Sequence, residues 1–194
     1  MKKQLSVLSS ILAFITLSAF TPVSDGFYRI SSSESSVNWV ASKVTGSNHT
    51  GTVSIMEGGL QIVNGAIEGG KFTIDMTTIN VTDLEGGMKT KLEGHLNSED
   101  FFHTEKFKSA SLAIVKVEGS NITANLTIKG ITNQVQFPVE LSFVDGELKA
   151  SANIEVDRSK YDVRYGSDSF FDNLGDKAIN NIIQFQVQLT GKAG

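Results

Sequence analysis

The stretch NITANLTIKG, Asn121 to Gly130, decides the fold class. Ile122, Ala124, Leu126 and Ile128 fall on one parity; Asn121, Thr123, Asn125, Thr127 and Lys129 fall on the other. An extended chain points successive side chains to opposite faces, so this spacing describes a strand with one apolar face and one wet face. The pattern returns along the chain. Val135, Phe137, Val139, Leu141 and Phe143 alternate with Gln134, Gln136, Glu140 and Ser142. Leu148, Ala150, Ala152, Ile154 and Val156 follow, and then Ile183, Phe185, Val187 and Leu189. In the N-terminal half, Val37, Trp39 and Ala41 alternate, as do Phe72, Ile74 and Met76. Half-buried strands of this kind belong to antiparallel sheets.

Four short segments read as turns between strands: Glu57-Gly58-Gly59, Asn64-Gly65, Glu68-Gly69-Gly70 and Asp145-Gly146. Pro138 occupies an outward position of its strand and predicts an edge or a bulge there, because proline has no N–H for a ladder. One segment leaves the period of two. In LEGGMKTKLEGHLNS, Met88, Leu92 and Leu96 take helical spacing, which predicts a short helix from about Thr90 to Leu96, frayed at Gly86-Gly87. Residues 159–178 are too polar and irregular for a strand and read as a long loop with one helical turn. Many one-faced strands and few helices leave a sandwich or a closed barrel. The mixture of large and small inward residues suits a curved sheet around a cavity.

Lys2 and Lys3 precede an uncharged apolar run from Leu5 to Phe20. This predicts a secretory signal peptide over residues 1–24, with an ill-defined cleavage site, followed by one domain over 25–194 in the periplasm or outside the cell. No second apolar run of that length follows, so no membrane span is expected in the mature form. Removal of the two lysines moves the formal charge from −4 to −6. That argues against a nucleic-acid partner. The absence of cysteine excludes disulfides, thiolate metal sites and N-terminal lipid attachment through cysteine.

Three features together resemble the YceI family of secreted, lipocalin-like bacterial proteins. HLNSEDFFHTEKF, His95 to Phe107, resembles the family's histidine-leucine, serine, aspartate and paired-phenylalanine stretch. LTIKGIT, Leu126 to Thr132, resembles its central strand and turn. Arg158 matches its arginine before an aromatic-containing loop. The chain departs at His103, where the family has aspartate, at Lys108 for proline and at Leu112 for phenylalanine. The resemblance implies an all-β, antiparallel eight-stranded barrel with a short helix across one end. It also implies an elongated apolar cavity that binds a long isoprenoid, a polyprenyl lipid or a quinone tail, with no cofactor.

The candidate cavity residues are Trp39, Phe72, Phe101, Phe102, Leu126, Ile128, Phe137, Phe143 and Phe185. Of the adjacent phenylalanines, one is expected to plug the barrel and the other to pack on Met88 and Leu92; Phe170-Phe171 is a second such pair. Lys43, inward by parity with Trp39, joins His49 and Arg158 as head-group candidates. Arg158 and Arg164 are also candidates for ion pairs with Asp168, Asp172 and Asp176. The spacing of those aspartates matches no calcium loop, and the histidines match no metal motif. Two other readings stay open: an enzyme using His49 or His95 as base on a small apolar substrate, and a filled barrel with a structural role. No Gly-x-Ser-x-Gly elbow, phosphate-cradling glycine loop or acid pair supports catalysis. A homodimer is the one protein partner left open.

Overall fold

The computed structural model describes residues 25–194; the expected signal peptide lies outside the described residues. The described chain forms nine strands and one α-helix: β1 (Gly26–Ile30), β2 (Ser36–Lys43), β3 (Asn48–Val63), β4 (Ala66–Val81), α1 (Gly86–Asn97), β5 (Ser109–Glu118), β6 (Asn121–Ile128), β7 (Ile131–Val144), β8 (Glu147–Asp157) and β9 (Ile179–Ala193). Every neighbouring pair is antiparallel. β1 and β2 each lie between β3 and β9, β2 low and β1 high, so together they make one stave. The result is a closed eight-stave up-and-down barrel, which leaves no strand at a sheet edge over its full length.

β3 and β4 have 16 residues each and β9 has 15. Strands of about 50 Å are long for a globular domain, and they make the barrel an elongated tube. The lower end holds α1 and the segment between β8 and β9. The upper end holds the hairpins at Asn64-Gly65 and Asp145-Gly146, whose four residues all have positive φ, as two-residue hairpin turns require.

The other two glycine segments are not turns. Gly58, Gly59, Gly69 and Gly70 lie inside β3 and β4 and pair across them, Gly58 with Phe72 and Gly70 with Leu60. Gly58, Gly59 and Gly70 serve close packing, whereas a Cβ on Gly69 would meet open space. A Cβ on Gly59 would sit 2.1 Å from the Phe27 ring, and one on Gly51 would sit 2.2 Å from Trp39 and 2.1 Å from the Asn80 carbonyl. Pro138 lies within β7, where the strand parts from β8: their rungs run from Val139↔Ala152 to Val144↔Glu147.

The helix is longer than the apolar spacing predicts and begins at Gly86 itself. It is held by polar bonds. Glu93 on α1 accepts the Val81 N–H at 2.9 Å, and Lys89 Nζ donates to Asn80 Oδ1 at 2.8 Å, both at the end of β4. Leu96 is its buried residue, whereas Met88 is 67% exposed. The segment after β8 carries two short 3-10 turns, at Arg158–Tyr161 and Gly175–Lys177.

Candidate functional site

The inward parity of all eight staves encloses one cavity of about 180 Å³. At roughly 10–15 Å³ per water-sized group, this is room for at least about a dozen such groups. Of its 31 lining residues, 30 are apolar and one is Ser151, whose hydroxyl faces Glu140 on the outer surface. Trp39 lines the wall, and its indole N–H is satisfied by the Thr52 carbonyl at 3.2 Å. A wall of this composition offers no compensation to a buried polar group and full compatibility with a hydrocarbon chain.

Trp39, Phe72, Phe101, Phe102, Leu126, Ile128, Phe137 and Phe185 all line the cavity. Phe143 does not. It packs edge-to-face on Tyr28 at 5.6 Å, near the upper end of the barrel. The lining also includes residues outside the sequence candidates. Val53, Ile55 and Leu60 come from β3, and Leu96 from α1. Taking Glu57-Gly58-Gly59 as a turn cuts the β3 strand in two and hides these residues; the alternation of Val53 and Ile55 with Thr52 and Ser54 is their signal in the sequence.

Phe101 and Phe102 both belong to the lower end of the cavity wall, with ring centroids 5.0 Å apart. Phe101 is buried and Phe102 half-buried; Leu92 and Phe102 both pack on the core, whereas Met88 is solvent-facing. The chain holds them by a tight return from the helix: Phe101 N donates to Ser98 O and Phe102 N to Leu96 O, each at 3.1 Å. Thr104 Oγ1 donates to Asn97 Oδ1 at 2.8 Å. Phe101 meets His95 edge-to-face with ring centroids 5.7 Å apart, and His95 in turn meets Tyr165 edge-to-face at 4.1 Å.

Arg158 supports this floor from below. Only 1% of it is exposed, and its guanidinium carbon lies 5.6 Å from the Phe101 ring centroid. Nε donates to Asn180 O, Nη1 to Val163 O and Tyr165 O, and Nη2 to Ile179 O, at 2.8–3.1 Å. Burial pulls its pKa down, against the raising influence of Asp157 and Asp168. The group therefore stitches the segment between β8 and β9 to the start of β9. It neither pairs directly with an aspartate nor faces the cavity as a head-group anchor. Arg164 pairs with Asp162, and Asp168 accepts from Asn181 Nδ2 at 2.8 Å.

Lys43 is exposed at the end of β2. Register with β9 shifts between Ala41 and Lys43, so parity with Trp39 no longer orients it. His49 lies outside the lining and contacts Asp83 Oδ2 through Nδ1 at 2.8 Å. His95 is packed between Phe101 and Tyr165, and His103 lies on Phe107 at 5.8 Å. No histidine is among the residues that line the cavity. Phe170 and Phe171 are 39% and 50% exposed and take no part in the cavity. Among the described residues, no group of three or more His, Asp or Glu side chains could hold a metal ion.

The model of the YceI-like domain family matches residues 28–191, almost the whole described barrel. The chain belongs to the YceI-like family. A UPF0312 protein of Staphylococcus aureus strain USA300 is 30% identical over 123 residues, covering 58% of this chain and 72% of that one. Among solved structures, BcnA of Burkholderia cenocepacia superposes with a TM-score of 0.65 at 18% identity, over 83% of this chain and 98% of that one. A polyisoprenoid binding domain from Saccharophagus degradans, implicated in plant cell wall breakdown, superposes with a TM-score of 0.62 at 16% identity, over 88% and 100%. At these identities the structural neighbours establish the shared YceI-like barrel.

Proposed function

We propose that this protein is an exported bacterial binding protein that holds a long isoprenoid chain in its barrel, without chemistry on the ligand. The observation that carries the reading is the continuous apolar wall of the cavity, interrupted only by Ser151. A structural neighbour is described as a polyisoprenoid binding domain, which agrees with it. Export to the periplasm or beyond is part of the proposal and rests on the apolar run after Lys2 and Lys3. The lining supplies no charge or titratable group, so a polar head is left at an opening, in water.

Magnitudes favour a long ligand. Burial contributes about 0.8 kcal/mol per methylene, hence roughly 4 kcal/mol for a five-carbon prenyl unit. Association itself costs an estimated 4–15 kcal/mol. A single unit therefore binds weakly at best, and three or four units bind firmly. The test is a titration with prenyl alcohols of one, two, three and four units. Affinity rises with each unit until the tube is full; equal affinity across the series would reject the reading. The variant Ala152→Phe, on the lining, fills part of the tube and lowers the longest usable chain while the barrel stays folded. Unchanged chain-length dependence in that variant would place the ligand elsewhere.

A further inference from the structure

One boundary of the cavity is a seam without a ladder. β7 and β8 share rungs only from Val139↔Ala152 upward. Below that level β7 stays paired with β6 down to Ile131, and β8 stays paired with β9 down to Asp157. Both strands continue regularly, yet not with each other. The break begins at Pro138. Val139 donates its N–H to Ser120 O at 2.8 Å, toward β6. Alternation turns position 138 toward β8, where proline has no N–H to give. By the same alternation, the backbone groups of Gln134 and Gln136 face those of Asn153 and Glu155 with no rung between them.

The seam ends below where Asn133 Nδ2 donates to Lys160 O at 2.9 Å and Lys129 Nζ to Asp162 O at 2.8 Å. From Pro138 to Asn133 it runs five residues, about 17 Å of strand. Its lips are cavity wall: Phe137 and Val139 on β7, Ile154 and Val156 on β8. Its outer rim is polar and exposed, with Gln134, Gln136, Asn153 and Glu155.

We propose that this seam is the lateral passage by which a prenyl or alkyl chain enters and leaves the cavity; the inference rests on the isoprenoid reading above. Widening any fully laddered strand pair breaks its backbone bonds, and here none has to break. The upper end is packed with Tyr28, Ile62 and Leu148, each at most 2% exposed. The lower end is closed by Phe101 over Arg158. The β4–β5 ladder also stops short, above Lys71↔Ala113. There, however, the gap is filled: Ile114 seats against Gly70, 3.3 Å from where a Cβ would stand. The seam between β7 and β8 lets a chain pass side-on while its polar end stays among glutamines and asparagine.

The chain has no cysteine, so paired cysteines can be bridged cleanly with dibromobimane, a short linker that each thiolate alkylates with loss of bromide, each bridge confirmed by intact mass. The probe is a farnesyl chain carrying a dansyl group, and uptake and release are followed by stopped flow. Bridging Q136C/E155C is expected to slow both rates at least tenfold with equilibrium occupancy unchanged, whereas bridging S142C/K149C, on strands already laddered, leaves them as in the unbridged protein. Rates unchanged in bridged Q136C/E155C overturn the passage alone, as does slowing produced by a bridge at E68C/K116C instead. If the unmodified protein takes up no probe, the isoprenoid reading falls first and the passage with it. Independently, hydrogen exchange of the wild-type protein should be fast at the amides of Gln134, Gln136, Asn153 and Glu155 and slow at Glu140 and Ser142. Equal protection at all six overturns the seam.

Discussion

Arg158→Met tests whether the floor of the barrel is held by a buried guanidinium. The side chain is 1% exposed and donates four hydrogen bonds to backbone carbonyls, of Val163, Tyr165, Ile179 and Asn180. Hydrogen bonds to a charged group contribute about 1.5–3 kcal/mol each, so four sum to roughly 6–12 kcal/mol gross. Against this stands the desolvation of the cation, several kcal/mol, which methionine relieves while keeping the apolar stem. The net loss expected is about 3–5 kcal/mol. For a domain of this size each kcal/mol lowers Tm by about 2–4 °C, giving a drop on the order of 10 °C. Arg158→Lys should be nearly as damaging, because one ammonium cannot reach four carbonyls that a planar fork spans. The assay is urea unfolding followed by the fluorescence of Trp39, the chain's only tryptophan, with the slope checked for two-state behaviour. Wild-type stability in Arg158→Lys would show that a point charge suffices. A loss under 1 kcal/mol in Arg158→Met would show that the four bonds do not hold the floor, and the reasoning would be refuted.

Two further outcomes follow from packing and charge. Gly51→Ala places a Cβ 2.1 Å from the Asn80 carbonyl, a backbone atom that cannot swing aside, and is expected to cost at least about 3 kcal/mol; Gly69→Ala, with nothing within 4 Å, stays within about 0.5 kcal/mol, and equal effects in a thermal melt would contradict the close-approach account. Burial works to raise the Asp83 pKa, but the Thr50 N–H and the His49 side chain outweigh it and the net direction is down. A carboxylate depressed on folding stabilises above its unfolded value near 3.9 and loses that contribution as pH falls through the lower folded value. Wild type should therefore lose stability on acidification below about pH 4 more steeply than Asp83→Asn, and parallel acid-unfolding curves would remove Asp83 from the account.

The barrel was legible because burial on one face imposes period two on almost every strand, and because the aspartate-glycine at Asp145-Gly146 reports its turn type directly. The glycine pairs in β3 and β4 misled for a physical reason. Gly58 and Gly59 are glycine because Phe72 and Phe27 press on them, and a contact of that kind is invisible without the partner strand. The large inward residues from Trp39 to Phe185 were readable as apolar, but not as lining a cavity rather than filling one, since that depends on the diameter the staves adopt. Phe143 shares the parity of Phe137 and differs only in height, where Tyr28 meets it. Parity also failed at Lys43, where the register with β9 shifts before the residue is reached. Arg158 was visible as a cation at a strand end. Its four partners are all main-chain carbonyls, which carry no signature in sequence.

The most direct test of the central claim is native mass spectrometry of the protein isolated from its own bacterium without detergent, followed by organic extraction. The account predicts one discrete added mass, extractable into organic solvent and carrying the five-carbon repeat of an isoprenoid. A clean apo mass that persists after incubation with a polyprenyl lipid and with a quinone would contradict it and leave the barrel as a structural module.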